Sequence, residues 1–439
     1  MPEATPSGDA GPAAVLRLAG AAFVVLAAEP SYVLVDTAVV GHLGAVPLAG
    51  LGIGGTLLSL VALVGAFLDY GTTARSARWF GAGDRDQAVD EGVAATVLAL
   101  VAGVLGAAAG EALAGPLLHL LAGANHAVHV AALRWFRVAV LGLPGILVVL
   151  AGNGWMRGVQ DTRRPVRIVV GANVASAAAS PLLVYAAGLG LTGSAIANVL
   201  AQVVGGALFV RAVRAEGRPL LPGWARVRGQ LVVGRDLVLR EIGFQAAFLT
   251  AAGVAARMGT AEVAAHQIGL QLWMLIALLL DSFAIAAQSL VGAALGGGDA
   301  RAARQTAARV ARYGLAAGIA AGAVLAAGWD LIPAAFTSSA AVRHQAHLLW
   351  PFLAGMQPAA GVLFALDGVL IGAGDVGFMR TITLVGALGV FVPTCLAALH
   401  WHWGIAGVWA GLTGFVLARL VGMALRAAGA RWVVVGGTR

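Results

Sequence analysis

Two carboxylates stand where apolar side chains belong. Glu29 and Asp36 fall within AEPSYVLVDTAVVGHLG, inside an apolar run from about Ala13 to Gly41. A carboxylate at bilayer depth costs at least about 2.5 kcal/mol on insertion scales, so it faces a partner or a cavity and marks a functional site by default. Seven residues at about 100° each make nearly two turns, which puts both acids on one helix face. Tyr32, four before Asp36, sits close to that face. Pro30 removes a backbone donor between them and is expected to bend or loosen the helix, a defect that neighbouring helices accommodate in a membrane. The chemistry open to such an acid is proton or cation binding, because burial disfavours the charged form of any carboxylate and a gradient can then titrate it. The alternative is an ion-paired or hydrogen-bonded acid at a helix interface.

The elements that position these acids follow from composition. Of 439 residues, 60% are hydrophobic and 11% charged, far too apolar for a soluble globular chain. Apolar stretches long enough to span a bilayer of roughly 30 Å recur twelve times. They fall near 13–41, 46–80, 87–118, 127–157, 164–187, 192–215, 231–257, 261–295, 301–329, 342–373, 377–399 and 404–428. The expected fold class is therefore an all-α polytopic membrane protein of twelve transmembrane helices.

All 28 basic residues are arginine, a bias of a GC-rich bacterial genome, and the net charge is +8. The arginines fall between apolar runs and form no single basic face, which points to the lipid bilayer and its anionic headgroups as partner and away from nucleic acid. Counted over alternate connections, 24 arginines lie on one side; only Arg134, Arg137, Arg257 and Arg343 lie on the other. The positive-inside rule then expects both termini in the cytoplasm and a multi-pass protein of a bacterial inner membrane. The start, MPEATPSGDAGP, reads as a disordered cytoplasmic tail and lacks the pattern of a signal peptide. A single cysteine, Cys395, excludes a disulfide framework or thiolate metal site. All nine histidines fall in the outer half of this topology and read as interfacial side chains, so no metal site is expected.

An internal repeat divides the chain. HLGAVPLAGLGIG from His42 aligns with RMGTAEVAAHQIG from Arg257, and Asp84 of FGAGD with Asp299 of LGGGD, both 215 positions on. NGWMRGVQD from Asn153 aligns with DGVLIGAGD from Asp367, and GLTGSAIA from Gly190 with GIAGVWAG from Gly404, both 214 positions on. The expected domains are a tail (1–12), a six-helix lobe (13–215), a cytoplasmic linker (216–230), a second six-helix lobe (231–430) and a C-terminal tail (431–439). Two lobes related by an axis along the membrane normal form a transporter architecture, in which rocking gives alternating access to a central site. There is no phosphate-binding loop, so the energy must come from an ion gradient.

The repeat is also a control. Glu29 maps to Phe244 and Asp36 to Ala251, so both acids belong to the first lobe alone. Asp84/Asp299 and Asp161/Asp375 recur beside glycines at turns, where short acids make turns or cap helices. Asp69, Asp281 and Asp367 fall in the cytoplasmic halves of their helices and are expected to pair with inner-side arginines such as Arg75 or Arg78. Asn153 is the counterpart of Asp367, a polar pair suited to locking the lobes, and Glu241 is a weaker cation-site candidate. Asn173 joins the polar residues expected to line a substrate cavity.

In EPSYVLVDTAVVGHLG from Glu29, NGWMRGVQDTRRP from Asn153, AAHQIGLQLW from Ala264, LLDSFAIAAQSLVGAALGGGD from Leu279 and LDGVLIGAGD from Leu366, the chain resembles the multidrug and toxic compound extrusion (MATE) family, in its DinF-like branch. The resemblance implies a monomeric antiporter that exports drugs or amphipathic metabolites against H+ or Na+, without another cofactor. Asp36 matches the first-helix aspartate that the family uses for coupling. Ala21 stands where relatives often have proline, Ser180 where many carry aspartate, and Gln288 where DinF-like members commonly have glutamate. Coupling then rests on Asp36 and Glu29, with Tyr32, Asn173, Ser180 and Gln288 as cavity candidates. The alternative within the wider superfamily is a flippase for a lipid-linked saccharide, which calls for a cationic central cavity. An intramembrane enzyme would need a nucleophile and base, or a metal cluster, at a spacing this chain lacks.

Overall fold

Inside a bilayer every backbone N–H and C=O must be satisfied within its own segment, so apolar stretches of this length become helices. The computed structural model describes residues 11–63, 65–123 and 125–437, and no strand occurs among them. Among the described residues eleven helices are long and apolar enough to cross a bilayer: α1 Pro12–Gly41, α2 Ala45–Gly81, α3 Arg85–Ala122, α4 His126–Gly158, α5 Arg163–Ala186, α6 Leu191–Arg214, α7 Trp224–Met258, α8 Thr260–Gly296, α9 Ala300–Ala327, α11 Val376–His400 and α12 Gly404–Ala428. The pair Ala340–Gly355 and Gln357–Gly372, bent by 49°, is long and apolar enough when taken together and makes the twelfth candidate span, α10. Except for Gly11 and Pro12, the expected N-terminal tail lies outside the described residues.

The largest departure from the expected spans is at α7. It begins at Trp224, inside the stretch read as linker, because WARVRGQ is too polar to register as a span yet contains good helix formers. Helix assignment also continues through Pro30 in α1.

The repeat is written into the backbone. Asp84 accepts a hydrogen bond from Gln87 N at 2.9 Å and caps α3; Asp299 accepts one from Ala302 N at 2.8 Å and caps α9. The glycines before them take the same left-handed turn, φ +80° at Gly83 and +81° at Gly298, which only glycine adopts without strain. The 3₁₀ turn Val140–Gly142 in α4 corresponds to the bend at Met356 in α10. Gly103 of α3 rests on Pro144 of α4, and Gly318 of α9 rests on Pro358 of α10. Small residues at such crossings let backbones approach, the usual basis of helix packing in lipid.

Packing divides the described chain into two units, residues 21–234 and residues 235–437 with 11–20. In the first, one buried cluster gathers Leu68, Ala151, Trp155, Met156 and Phe209, and another gathers Leu118, Trp135, Phe136 and Val140. Two of its buried acids, Asp69 and Glu91, are paired with arginine. Asp69 accepts from Arg157 Nη1 at 2.7 Å. The partner is Arg157 and not the expected Arg75, because Arg75 donates twice, at 2.7 Å each, to Glu91. Gln230 Nε2 also donates to Glu91, at 3.1 Å, and Arg218 grips Asp90 through two bonds of 2.8 and 2.7 Å. These contacts fasten the segment between α6 and α7 onto α2 and α3.

In the second unit Asp367 is held by two cations. Arg240 Nη2 donates at 2.7 Å, and Arg419 Nη2 reaches both carboxylate oxygens at 2.9 Å. Both guanidiniums lie over the Phe244 ring, 5.2 and 4.8 Å from its centroid. Asp367 is thus committed within its own unit. Glu241 is half-buried beside this cluster, and Asp281 is half-buried in α8. Arg426 donates to Asp375 at 2.6 Å, tying α12 to the turn that Asp375 shapes.

Candidate functional site

The charge on α1 that the sequence singles out is met by side chains from two other helices. Ser180, near the end of α5, donates from Oγ to Asp36 Oδ1 at 2.6 Å. Ser194, in the first turn of α6, donates to Oδ2 at 2.6 Å. Behind it, Trp135 of α4 donates from Nε1 to Ser194 Oγ at 3.2 Å. A single chain of bonds therefore runs from the indole through the hydroxyl to the carboxylate, and four spans converge on it. Asp36 is 3% exposed and Ser180 and Ser194 are fully buried.

The helix connectivity explains this convergence. The short link after α5 turns on Gly188 and Gly190, at φ +67° and +54°, and sends α6 straight back along α5. Gly193 then allows close approach, since a Cβ there would strike the backbone of Leu183 and Val184. Ser180 and Ser194 are thereby brought level with Asp36. The hydroxyl of Tyr185, just beyond Ser180, donates to the backbone carbonyl of Val39 and anchors α1 one turn further along.

One helical turn away lies a second polar level. Tyr32, Ser176 and Asn198 each precede or follow a member of the first level by four residues, the spacing of one helix face. Ser176 and Asn198 are close neighbours of the Tyr32 hydroxyl, yet Tyr32 Oη, Ser176 Oγ and Asn198 Oδ1 complete no hydrogen bond of acceptable geometry. Unmet buried polar atoms invite a partner, a water or a ligand group.

What Asp36 lacks is a counter-charge. Among the described residues no arginine or histidine pairs with it, whereas Asp69 and Asp367 each hold arginine. Hydroxyl donors satisfy the oxygens but carry no positive charge, so a proton or a metal cation is the species that can neutralise the group.

The other residues singled out from sequence are placed as follows. Glu29 is exposed and makes no bond among the described residues, so the two acids share a helix but not an environment. Asn173 is half-buried and donates to the carbonyl of Val169 in its own helix at 2.9 Å. Asn153 is buried in α4, with its Oδ1 unpaired. Gln288 is buried in α8, in the other unit. Ser194, Trp135, Ser176 and Asn198 are absent from that set, although the repeat marks them. Their counterparts are Val408, Leu349, Val390 and Leu412, all apolar, as Ala251 is for Asp36 and Ala247 for Tyr32. Only Ser180 has a polar counterpart, Thr394, whose hydroxyl donates to the Val390 carbonyl in its own helix; the carboxylate and the other polar members belong to one copy.

Comparison with known proteins agrees with this architecture. A family model described as MatE matches residues 21–182 and again 237–396, once in each copy of the repeat. Protein DETOXIFICATION 44, chloroplastic, from Arabidopsis thaliana is 32% identical over 427 residues, covering 94% of this chain and 81% of that protein. DNA damage-inducible protein F from Escherichia coli K12 is 32% identical over 404 residues, covering 89% and 86%. Among solved structures, a MATE transporter in a bent conformation superposes with a TM-score of 0.88 at 22% identity, covering 94% of this chain and 95% of that one. A MOP-superfamily transporter from Pyrococcus furiosus superposes with a TM-score of 0.87 at 22% identity, covering 95% and 96%. At that identity the structural likeness speaks for the fold.

Proposed function

The chain belongs to the MATE family of multi-pass multidrug and toxic compound efflux transporters, which are not enzymes, and on that premise we propose that it is a proton-coupled antiporter exporting drugs or amphipathic metabolites by alternating access. The observation that carries the reading is the buried carboxylate of Asp36, held by two hydroxyls at 2.6 Å and paired with no arginine or histidine among the described residues. A proton supplies the missing charge compensation. When it leaves, Ser180 and Ser194 stabilise the anion; when it arrives, one hydroxyl turns from donor to acceptor and the site stays satisfied. Hydroxyl-to-carboxylate distances of 2.6 Å are those of charge-assisted hydrogen bonds, so the ionised carboxylate is satisfied when no proton is bound.

Tyr32, Ser176 and Asn198 extend the site by one turn and offer polar contacts to a substrate. Glu29, exposed on the same helix, is a second group available to a proton or to a cationic substrate. The flippase reading loses much of its support, because three of the four arginines buried within the spans, Arg157, Arg240 and Arg419, are committed to aspartates. A monomer in a bacterial inner membrane, with the arginine-rich ends and both termini in the cytoplasm, completes the proposal. The arginine asymmetry and the Escherichia coli relative support it.

The test is antiport in proteoliposomes, with a fluorescent cationic amphipathic dye as probe and an imposed pH gradient, with and without Na+. Dye movement driven by the pH gradient alone is the expected result. Movement that requires a Na+ gradient and ignores pH would overturn the proton assignment.

A further inference from the structure

We propose that the arginine-rich end of the α5–α6 pair is a binding site for the headgroup of an anionic phospholipid. Arg163 and Arg167 lie in the first two turns of α5, and Arg211 and Arg214 lie in the last turn of α6. The antiparallel register of the two helices is fixed by close contacts. Gly193 abuts Leu183, and a Cβ on Gly205 would lie 3.7 Å from that of Ala172. Carried on toward the far end, this register sets Arg211 level with Val166 and Arg167, and Arg214 level with Arg163. An independent contact agrees with it: Glu216, just past α6, reaches Arg164 of α5 at 3.6 Å.

The four side chains are exposed and none has an ion-pair partner among the described residues. The acids nearby are already committed. Asp161 accepts from the backbone N–H groups of Arg163 and Arg164 and pairs with the Arg164 side chain. Glu216 is held by Arg85 as well as Arg164. One of the four cations, Arg163, also sits in the first turn of α5, where the macrodipole disfavours positive charge. Clustered like charge of this kind is relieved by an anion.

The position selects the anion. Both helix ends close an apolar span, which places the guanidiniums at headgroup depth, with long stems able to reach the interface. A phosphodiester accepts paired N–H donors from guanidinium, and each basic side chain near an anionic surface adds to binding. The occupant is therefore the phosphate of a phosphatidylglycerol-type lipid. Bound there, it bridges the same two helices that carry Ser180 and Ser194.

The test is native mass spectrometry of the full chain in detergent, titrated with phosphatidylglycerol and, in parallel, with phosphatidylcholine. Wild type should retain phosphatidylglycerol in preference to phosphatidylcholine. R163Q/R167Q/R211Q/R214Q should bind phosphatidylglycerol at least about tenfold more weakly. A control lacking four exposed arginines elsewhere, R17Q/R228Q/R301Q/R312Q, should keep the wild-type affinity. Equal binding by wild type and the α5–α6 variant would overturn the site, and so would an equal loss in the control. If the fourfold variant does not fold, R163Q/R167Q alone must show at least half of the loss on a logarithmic scale, or the site is wrong.

Discussion

Ser180 Oγ lies 2.6 Å from Asp36 Oδ1 and donates to a buried carboxylate that pairs with no arginine or histidine among the described residues. A hydrogen bond to a charged group contributes about 1.5–3 kcal/mol, so its loss is felt wherever the charged form is needed. Ser180→Ala and Ser194→Ala are each expected to lower the transport rate about tenfold while membrane insertion stays normal. Initial rates in proteoliposomes decide this, and wild-type rates in both variants would remove the hydroxyls from the mechanism.

Asp69 and Arg157 carry a different kind of buried charge. Their side chains are 10% and 7% exposed and meet at 2.7 Å. Removing one partner leaves the other buried and unpaired, a loss of about 3–5 kcal/mol. Arg157→Ala should lower the unfolding temperature sharply, and adding Asp69→Asn should recover much of the loss. Thermal unfolding in detergent would show this pattern; additive losses in the double variant would contradict it.

The caps at Asp84 and Asp299 make a matched pair of experiments. Each accepts one backbone N–H with nearly the same geometry, and such a cap contributes about 1 kcal/mol. Asp84→Ala and Asp299→Ala should therefore destabilise equally, and neither should change the coupling of substrate to protons. A coupling defect in either would show that a turn acid takes part in transport.

The segment between α6 and α7 and the first turn of α7 are pinned by Arg218 to Asp90, by Arg226 to Asp90 and Gln87, and by Arg85 to Glu216. Exposed ion pairs are screened by salt, each contributing about 1 kcal/mol or less. Trypsin cleavage after Arg226 is expected to accelerate in high salt and in Asp90→Asn; the bond after Arg218 precedes Pro219 and is not a trypsin site. Rates unaffected by either change would mean that apolar contacts alone hold the segment.

Much of this was legible in the sequence, for physical reasons that differ by element. The twelve crossings announce themselves because lipid tolerates little but apolar side chains over such lengths. Asp36 stands out for the same reason, as a charge where charge is costly. The start of α7 at Trp224 does not, because its first turns are polar and their partners, Asp90 and Glu91 of α3, are far away in sequence. Asp69 and Arg157 are 88 residues apart, and only packing reveals their partnership. Ser194 and Trp135 are the instructive omission: a serine or a tryptophan in an apolar helix is ordinary, and neither announces a site. Setting each copy against the other would have found them, since Val408 and Leu349 occupy the equivalent places.

The most direct test of the central claim is proton movement in Asp36→Asn. Asparagine keeps the shape and can still bond Ser180 and Ser194, but it cannot gain or lose a proton. With the protein reconstituted at wild-type levels, substrate-induced proton flux, read by a pH-sensitive dye inside the vesicles, should be abolished. Flux at the wild-type rate would contradict the assignment of Asp36 as the coupling group.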